Sequence, residues 1–442
     1  MITAMHSGAG KTVMSCALMA ALKNRGMNVQ AFKCGPDYID PMFHEKVLGV
    51  PCRNLDLFLQ GEVGMKKTLF RSKAEIAILE AAMGYYDGID GTDQASAWQI
   101  AHMTNTPVIL VLRPKGSGLT LAAQVCGLMR FRLESNIRGV LLAECSVKQM
   151  DYLKPILERE TGLPVLGFLP SMTEARIESR HLGLLTADEV RDFSDRLRKI
   201  VLETEKSIDL GGLLALAGEY RTGEERKPTK PRCRIAVAQD AAFCFCYADS
   251  LDVLVEAGAE LCFFSPLKDS DLPEEIDGLY LPGGYPELYA KTLSDNNRIR
   301  KQISVAVKSG LPTVAECGGF LYLQESLENE KGQVFPMCAV LPGSGYRTEK
   351  LQRFGYQYLK AEENSLLFRS GESVPVHEFH YWESTAPGTV FRSEKPNGKT
   401  WRCGYAGNSL YAAFPHLYFG GELPLAKRFV KACETWKASL KS

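Results

Sequence analysis

"MITAMHSGAGKTVMSCALMAALKNRG" occupies residues 1–26. It reads in three parts. Met1–Ala4 is a short apolar run of strand character. A glycine-bearing turn follows. From Lys11 onward the apolar residues recur at helical spacing until Gly26 closes the run. A strand that turns through glycines into a helix N-terminus aims backbone N–H groups at an anion. Gly8 and Gly10 let the backbone approach a phosphate closely. Lys11 is placed to neutralise terminal phosphates, and the Thr12 hydroxyl to hold Mg²⁺. The strict phosphate-loop spacing fails, because Met5 stands where the first glycine belongs. A variant form starting one residue earlier meets Ala4.

The pattern continues outward. "VQAFK", "EIAILEA", "TPVILVLRP" and "RGVLLAEC" read as further strands, with helical stretches between them. That alternation predicts a parallel α/β sheet covered on both faces. Residues 219–232, "EYRTGEERKPTKPR", read as a linker. A second α/β series follows: "CRIAVAQD", "LCFFSP", "GLYLPGG" and "PTVAE" as strands, "YADSLDVLVEAGAE" and "CGGFLYLQESL" as helical. A chain of 442 residues is too long for one core. The expected division is 1–218, linker 219–232, and 233–442.

Acidic and basic residues balance at 52 each, so no electrostatic grip on nucleic acid or an anionic membrane is expected. No apolar run is long enough to span a bilayer, and the N-terminus lacks a signal-peptide pattern. A cytoplasmic location is expected. The 13 cysteines are odd in number and none forms a C-x-x-C pair, which argues for free thiols rather than disulfides or zinc. Cys244 and Cys246 would share one face of a strand.

Two acidic stretches could complete the phosphate site. "FKCGPDYIDPMFH" sets Lys33, Asp37 and Asp40 just after a strand end, and "ILEAAMGYYDG" sets Glu80 at the end of a buried strand and Asp87 seven residues on. Ligands of open parallel sheets bind at the carboxyl ends of strands. Carboxylates there can serve Mg²⁺ and nucleotide phosphates. In "PTVAECGGFLYL", Cys317 stands on a sharp strand-to-helix turn. The helix terminus should lower its thiol pKa, and Gly318 should offer an N–H to an oxyanion. Gly283 and Gly284 of "LYLPGGYPE" could supply a second donor. His377, His380 and His416 are the available C-terminal bases. His416, at the end of the strand-like "SLYAAFPHLYF", is preferred, with ring packing or substrate contact preferred for the other two.

Taken jointly, "FKCGPDYIDPMFH", "RNLDLF", "RHLGLL", "FSPLKDSDLP", "LPGGYPELYA", "AECGGFLYL" and "HEFHYWES" resemble, in order and spacing, the cobyrinate a,c-diamide synthase family. The resemblance covers nearly the whole chain. It implies an N-terminal P-loop, dethiobiotin-synthetase-like domain and a C-terminal class I glutamine amidotransferase domain. It implies ATP and Mg²⁺ as cofactors, and a corrin-type macrocycle and glutamine as substrates. The a and c acetate carboxylates would be phosphorylated and then amidated. By position, Gly8, Gly10, Lys11, Thr12 and Asp37 would bind nucleotide; Thr12, Glu80 and Asp87 the metal; Tyr38, Ile39 and Asp40 the corrinoid carboxylate. Cys317 would be the nucleophile and His416 the base, with Gly284 and Gly318 as oxyanion donors. The glutamate common two residues after such a histidine is Tyr418 here, which implies a dyad or an acid from elsewhere. Other departures are Ala4 and His6 in the loop, Ala81, Arg113 with Pro114, and Ala143 with Glu144. These bear on nucleotide affinity and base preference. Alternatives are a sister amidoligase acting on other corrin carboxylates, as cobyric acid synthase does, or on a nickel tetrapyrrole, or a glutaminase whose nucleotide site only regulates. The sequence leaves a homodimer open.

Overall fold

Seven short apolar runs pair into one parallel sheet: β1 (Ile2–Ala4), β2 (Val29–Cys34), β3 (Cys52–Leu55), β4 (Ile76–Glu80), β5 (Val108–Leu112), β6 (Ile137–Ala143) and β7 (Val165–Leu169). Their order is β3-β2-β4-β1-β5-β6-β7. The computed structural model describes residues 1–171, 187–219 and 229–440. Residues 220–228 of the expected linker and the "RHLGLL" stretch at 180–185 lie outside the described residues. The chain divides into two units. One comprises Met1–Leu57 and Glu62–Glu224, the other Phe58–Gly61 and Glu225–Ser442.

In the first unit the apolar runs are continuous because both sheet faces are covered. All of β5 is buried. Ile109 and Val111 join the core beneath helix α1 (Lys11–Asn24), while Val108, Leu110 and Leu112 join the core of the opposite face. Helix α1 buries Met14, Ala17, Leu18 and Ala21 in the first of these cores. It begins at Gly10, whose φ of 92° is left-handed and suits glycine. β1 lies between β4 and β5, so the carboxyl ends of β1, β4 and β2 are neighbours. Helix α2 (Ile39–Phe43) follows β2.

The second unit holds β8 (Cys233–Ala238), β9 (Ala259–Phe264), β10 (Gly278–Leu281), β11 (Thr313–Glu316), β18 (Tyr405–Ala406) and β19 (Leu410–Ala413) in one sheet. The order is β18-β19-β11-β10-β8-β9, with β18 antiparallel and the other pairs parallel. Helix α3 (Gly318–Leu323) leaves β11 at Cys317. A further sheet, absent from the sequence reading, joins β12 (Ser326–Glu328), β13 (Val334–Pro336), β14 (Ser344–Ala361), β15 (Ser373–Ser384), β16 (Phe391–Glu394) and β17 (Thr400–Cys403). Cys244 and Cys246 do not share a strand face as expected. The segment is a loop bonded to the sheet through a single bridge, Phe245 to Gly283.

Helix α3 lies so close to β10 that a Cβ on Gly319 would stand 2.0 Å from the Leu281 carbonyl oxygen. Neither backbone can yield cheaply. Gly319→Ala is expected to destabilise the second unit by about 3 kcal/mol. Pulse proteolysis in urea, with the cleaved unit assigned by mass spectrometry, measures this. An unchanged midpoint would show that α3 can shift.

Candidate active site

Lys11 and Thr12 are the first residues of α1 and turn toward β4. The Lys11 ammonium, almost fully buried, donates to the carbonyls of His6 at 3.1 Å and Met83 at 2.5 Å. Burial, with Lys33 nearby, pulls its pKa down to about 8. The Thr12 hydroxyl donates to Glu80 Oε1 at 2.7 Å. Glu80 ends β4 and is 1% exposed. Its Oε1 also accepts from Lys33 Nζ at 2.7 Å, and its Oε2 lies 3.1 Å from His44 Nε2. Burial alone would raise the Glu80 carboxyl, yet Lys33 and His44 hold it well below the usual carboxylate range.

Lys33 is the hub. It also donates to Asp40, and Asp37 Oδ2 stands 3.9 Å away. Three carboxylates therefore surround one buried ammonium, which is held well above its ordinary pKa despite burial. Burial pushes Asp40 up to about 7 against the pull of Lys33. Asp37 Oδ1 accepts the N–H of Ile39 at 2.7 Å, so the carboxylate caps the turn that carries Tyr38, Ile39 and Asp40. Asp87 Oδ2 accepts the Gly84 N–H at 3.0 Å and acts on Lys11 across the loop after β4. Thus Lys11, Thr12, Asp37, Asp40, Glu80 and Asp87 gather around the ends of β1, β2 and β4, with Gly8 (φ 75°) and Gly10 in the loop above. On the other side of β1, Arg113 and Glu144 pair at the ends of β5 and β6.

Sequence reasoning gave no role to two residues of this site. His44, fully buried, braces Glu80 on one side and lies 3.7 Å from Cys16 Sγ on the other. Asn54 donates to the carbonyls of Gly35 at 2.9 Å and Asp37 at 2.7 Å, pinning the "GPDYID" loop. Both sit inside motifs quoted above.

Mg²⁺ is implied by the resemblance. The Thr12 hydroxyl and a Glu80 oxygen converge at 2.7 Å. These are hard oxygen donors of the kind Mg²⁺ takes, and they fit it. Among the described residues no cluster of three or more His, Cys, Asp or Glu side chains could hold a metal alone. Phosphate oxygens and water would have to complete the coordination, as Mg²⁺ usually requires.

In the second unit, Cys317 has φ 48° and ψ −104°, a strained turn between β11 and α3. Its N–H donates to the Ala413 carbonyl at 2.8 Å, which anchors the turn to β19. β19 ends at Ala413, so His416 lies just beyond the strand. It is held by a two-way backbone bridge to His377, the His416 N–H donating at 2.9 Å. Gly283 stands between the two side chains. A Cβ there would lie 2.4 Å from His416 Cε1 and 3.3 Å from Cys317 Cβ. The Gly284 nitrogen lies 3.1 Å from where a Cβ on Gly318 would be. Cys317, His416 and the backbone of Gly284 and Gly318 are therefore assembled in one place.

One expectation is reversed. Burial, followed by the charges of Glu287 and Glu378, pushes the Cys317 thiol well above its ordinary pKa. Only the Gly318 N–H opposes this strongly enough to rank beside them. A helix of six residues cannot outweigh enclosure at 6% exposure. Burial, reinforced by His377 and His380, pulls His416 down to about 3, so its imidazole is neutral in the resting site. No acid stands at position 418, but Glu316 Oε2 lies 3.8 Å from His416 Nδ1. Glu316 accepts from the Leu417 N–H at 3.0 Å and the Tyr280 hydroxyl at 2.9 Å, and burial raises it to about 8. His380 stacks on Phe414 at 3.9 Å and bonds Glu378 at 2.7 Å. His377 packs edge-on against Phe354 and Tyr356.

Comparison with known proteins gives a consistent picture. Residues 1–185 match the CobQ/CobB/MinD/ParA nucleotide binding domain, and residues 234–423 match the CobB/CobQ-like glutamine amidotransferase domain. The cobyrinate a,c-diamide synthase of Caldanaerobacter subterraneus subsp. tengcongensis is 37% identical over 99% of this chain and 98% of its own. That of Listeria innocua is 39% identical over 95% and 96%. That of Thermoplasma volcanium is 36% identical over 98% and 96%. The first unit is thus a nucleotide-binding α/β domain, and the second contains a glutamine amidotransferase domain.

A thiol raised by burial should alkylate slowly at neutral pH. With iodoacetamide and no glutamine, the rate at Cys317 is expected to rise about tenfold per pH unit from pH 7 to 9. Mass spectrometry of the Cys317 peptide measures it. A plateau below pH 8 would show a thiolate already formed.

Proposed function

Since the chain belongs to the cobyrinate a,c-diamide synthase family, we propose that it uses ATP and glutamine to amidate the a and c acetate carboxylates of cobyrinate through acyl phosphates. It is a carbon–nitrogen ligase of cobalamin biosynthesis with glutamine as amide donor. The observation that carries the finer reading is the meeting of Cys317 and His416 at Gly283, in a chain that also sets Lys11 and Thr12 beside Glu80. We assign residues 1–218 to the synthetase domain and 233–442 to the glutaminase domain.

In the glutaminase reaction, Cys317 Sγ attacks the glutamine carboxamide carbon. His416 takes the thiol proton and returns it to the leaving ammonia. The raised thiol makes this coupled transfer necessary, since little thiolate exists beforehand. The N–H groups of Gly284 and Gly318 receive the oxyanion. Water then hydrolyses the thioester and releases glutamate. Glu316 is the acid that stands near His416 in place of the missing residue 418 partner.

In the synthetase reaction, Lys11 and the loop N–H groups bind the nucleotide phosphates. Mg²⁺, when bound by Thr12, Glu80 and Asp87, would neutralise charge on the transferred phosphoryl group. Tyr38, Ile39 and Asp40 receive the corrinoid carboxylate, held in position by the Asp37 cap and Asn54. Carboxylate oxygen leaves poorly and phosphate leaves well, so ammonia attacks the activated carbon and displaces phosphate.

Cys317→Ala is expected to abolish amidation from glutamine and to leave amidation from ammonium salts. Lys11→Ala is expected to lower amidation from both nitrogen sources by about 10²-fold or more. Mass spectrometry of cobyrinate, with phosphate release in parallel, reads both. Loss of ammonia-driven amidation in Cys317→Ala would overturn the division of roles.

A further inference from the structure

We propose that Glu287 receives the α-ammonium group of glutamine at the Cys317 site. This deepens the glutaminase reading and rests on it. Glu287 belongs to the turn Pro286–Tyr289, which follows Gly284 directly. That turn is laid against the backbone of the nucleophile. From the position of a Cβ on Gly318, Pro286 Cδ is 2.8 Å away and the Gly284 nitrogen 3.1 Å. Among charged groups, Glu287 acts most strongly on the Cys317 thiol.

Glu287 is 9% exposed. Buried carboxylates ordinarily have partners, and three others in this unit obey the rule. Glu316 accepts from Leu417 N–H and the Tyr280 hydroxyl. Glu378 is bonded by His380 and Gln357. Asp277 accepts from the Arg234 N–H and Lys437. Glu287 has none of this. Its carboxyl is met by its own backbone N–H, and the charge acting on it from elsewhere is that of another acid, Glu330. Among the described residues no side chain hydrogen-bonds it and no cation pairs with it. Burial accordingly pushes it up to about 8.

An acid held near the nucleophile and lacking a cation, largely protonated at neutral pH, can release its proton and take its cation from the substrate. Glutamine carries one, the α-ammonium, at the end opposite the carboxamide that Cys317 attacks. The pairing would hold glutamine by the group that separates it from simple carboxamides, and would relieve the unpaired acid at the same time.

The test compares glutamine with glutaramate, which has the same carboxamide and α-carboxylate but no α-amino group. Hydrolysis is measured with the full chain, its Glu287→Gln and Glu287→Asp variants, and Cys317→Ala. The wild-type protein should prefer glutamine in kcat/KM by about 10- to 100-fold, as expected for a charged hydrogen bond. Glu287→Gln should shrink that ratio to near one, mainly through the glutamine KM. Glu287→Asp should retain part of it. A wild-type protein that does not discriminate, or a Glu287→Gln ratio equal to wild type, overturns the proposal. If Glu287→Gln fails to fold, an undiminished ratio in Glu287→Asp overturns it as well. Hydrolysis that survives in Cys317→Ala, or is absent from the wild-type protein, sinks the glutaminase reading instead.

Discussion

The buried ammonium of Lys33 is the constraint on which the first unit's site depends. It reaches Glu80 and Asp40 directly and Asp37 at longer range. Without it, acids from β4 and from the loop after β2 would face one another in a low dielectric, and at least one would have to protonate. With it, Glu80 stays ionised and presents an oxygen to Thr12. Removing one partner of a buried ionic cluster costs more than the cluster contributes as a whole, because the remaining charges are stranded. The carboxyl ends of β1, β2 and β4 are thus tied together by charge, while the strands beneath are tied by apolar packing.

The second unit uses close backbone approach instead. Gly283, Gly284, Gly318 and Gly319 let four pieces of chain meet where side chains could not fit. β10, β11 and β19 are adjacent and parallel, so their carboxyl ends deliver the glycine turn, Cys317 and the chain leading to His416 to one place. The topology brings them together, and the glycines then allow the final approach.

How much of this was legible follows from the range of each signal. The strand, loop and helix of residues 1–26 were readable because glycine placement and helical periodicity are local. Asp37, Asp40 and Asp87 were found after strand ends and Glu80 at one; Lys33, expected after a strand end, lies inside β2 because its ammonium is buried against Glu80, and the structure gathers all five. The sheet from β12 to β17 was not readable. β14 is mostly half-buried or exposed along its length and offers no apolar run, and its pairing with β15 is interrupted by register shifts. His44 escaped notice because its partner Glu80 is distant in sequence and joins it only through the fold. The thiol direction was misjudged for a similar reason. A helix terminus is visible in the sequence, but enclosure by Glu287, Glu378 and Glu316 is not.

That enclosure has a consequence for the idle protein. The thiolate is the form that peroxide converts to sulfenic acid, and further oxidation is irreversible. Held as a thiol at 6% exposure, Cys317 is a poor target between turnovers. The chain carries 12 other cysteines. Cys126, Cys244, Cys246 and Cys262 are the partly exposed ones, and burial raises the Cys246 thiol as well, so oxidative damage should accumulate at the other three before it reaches Cys317. A thiol kept protonated by its enclosure is, for the same reason, slow to age.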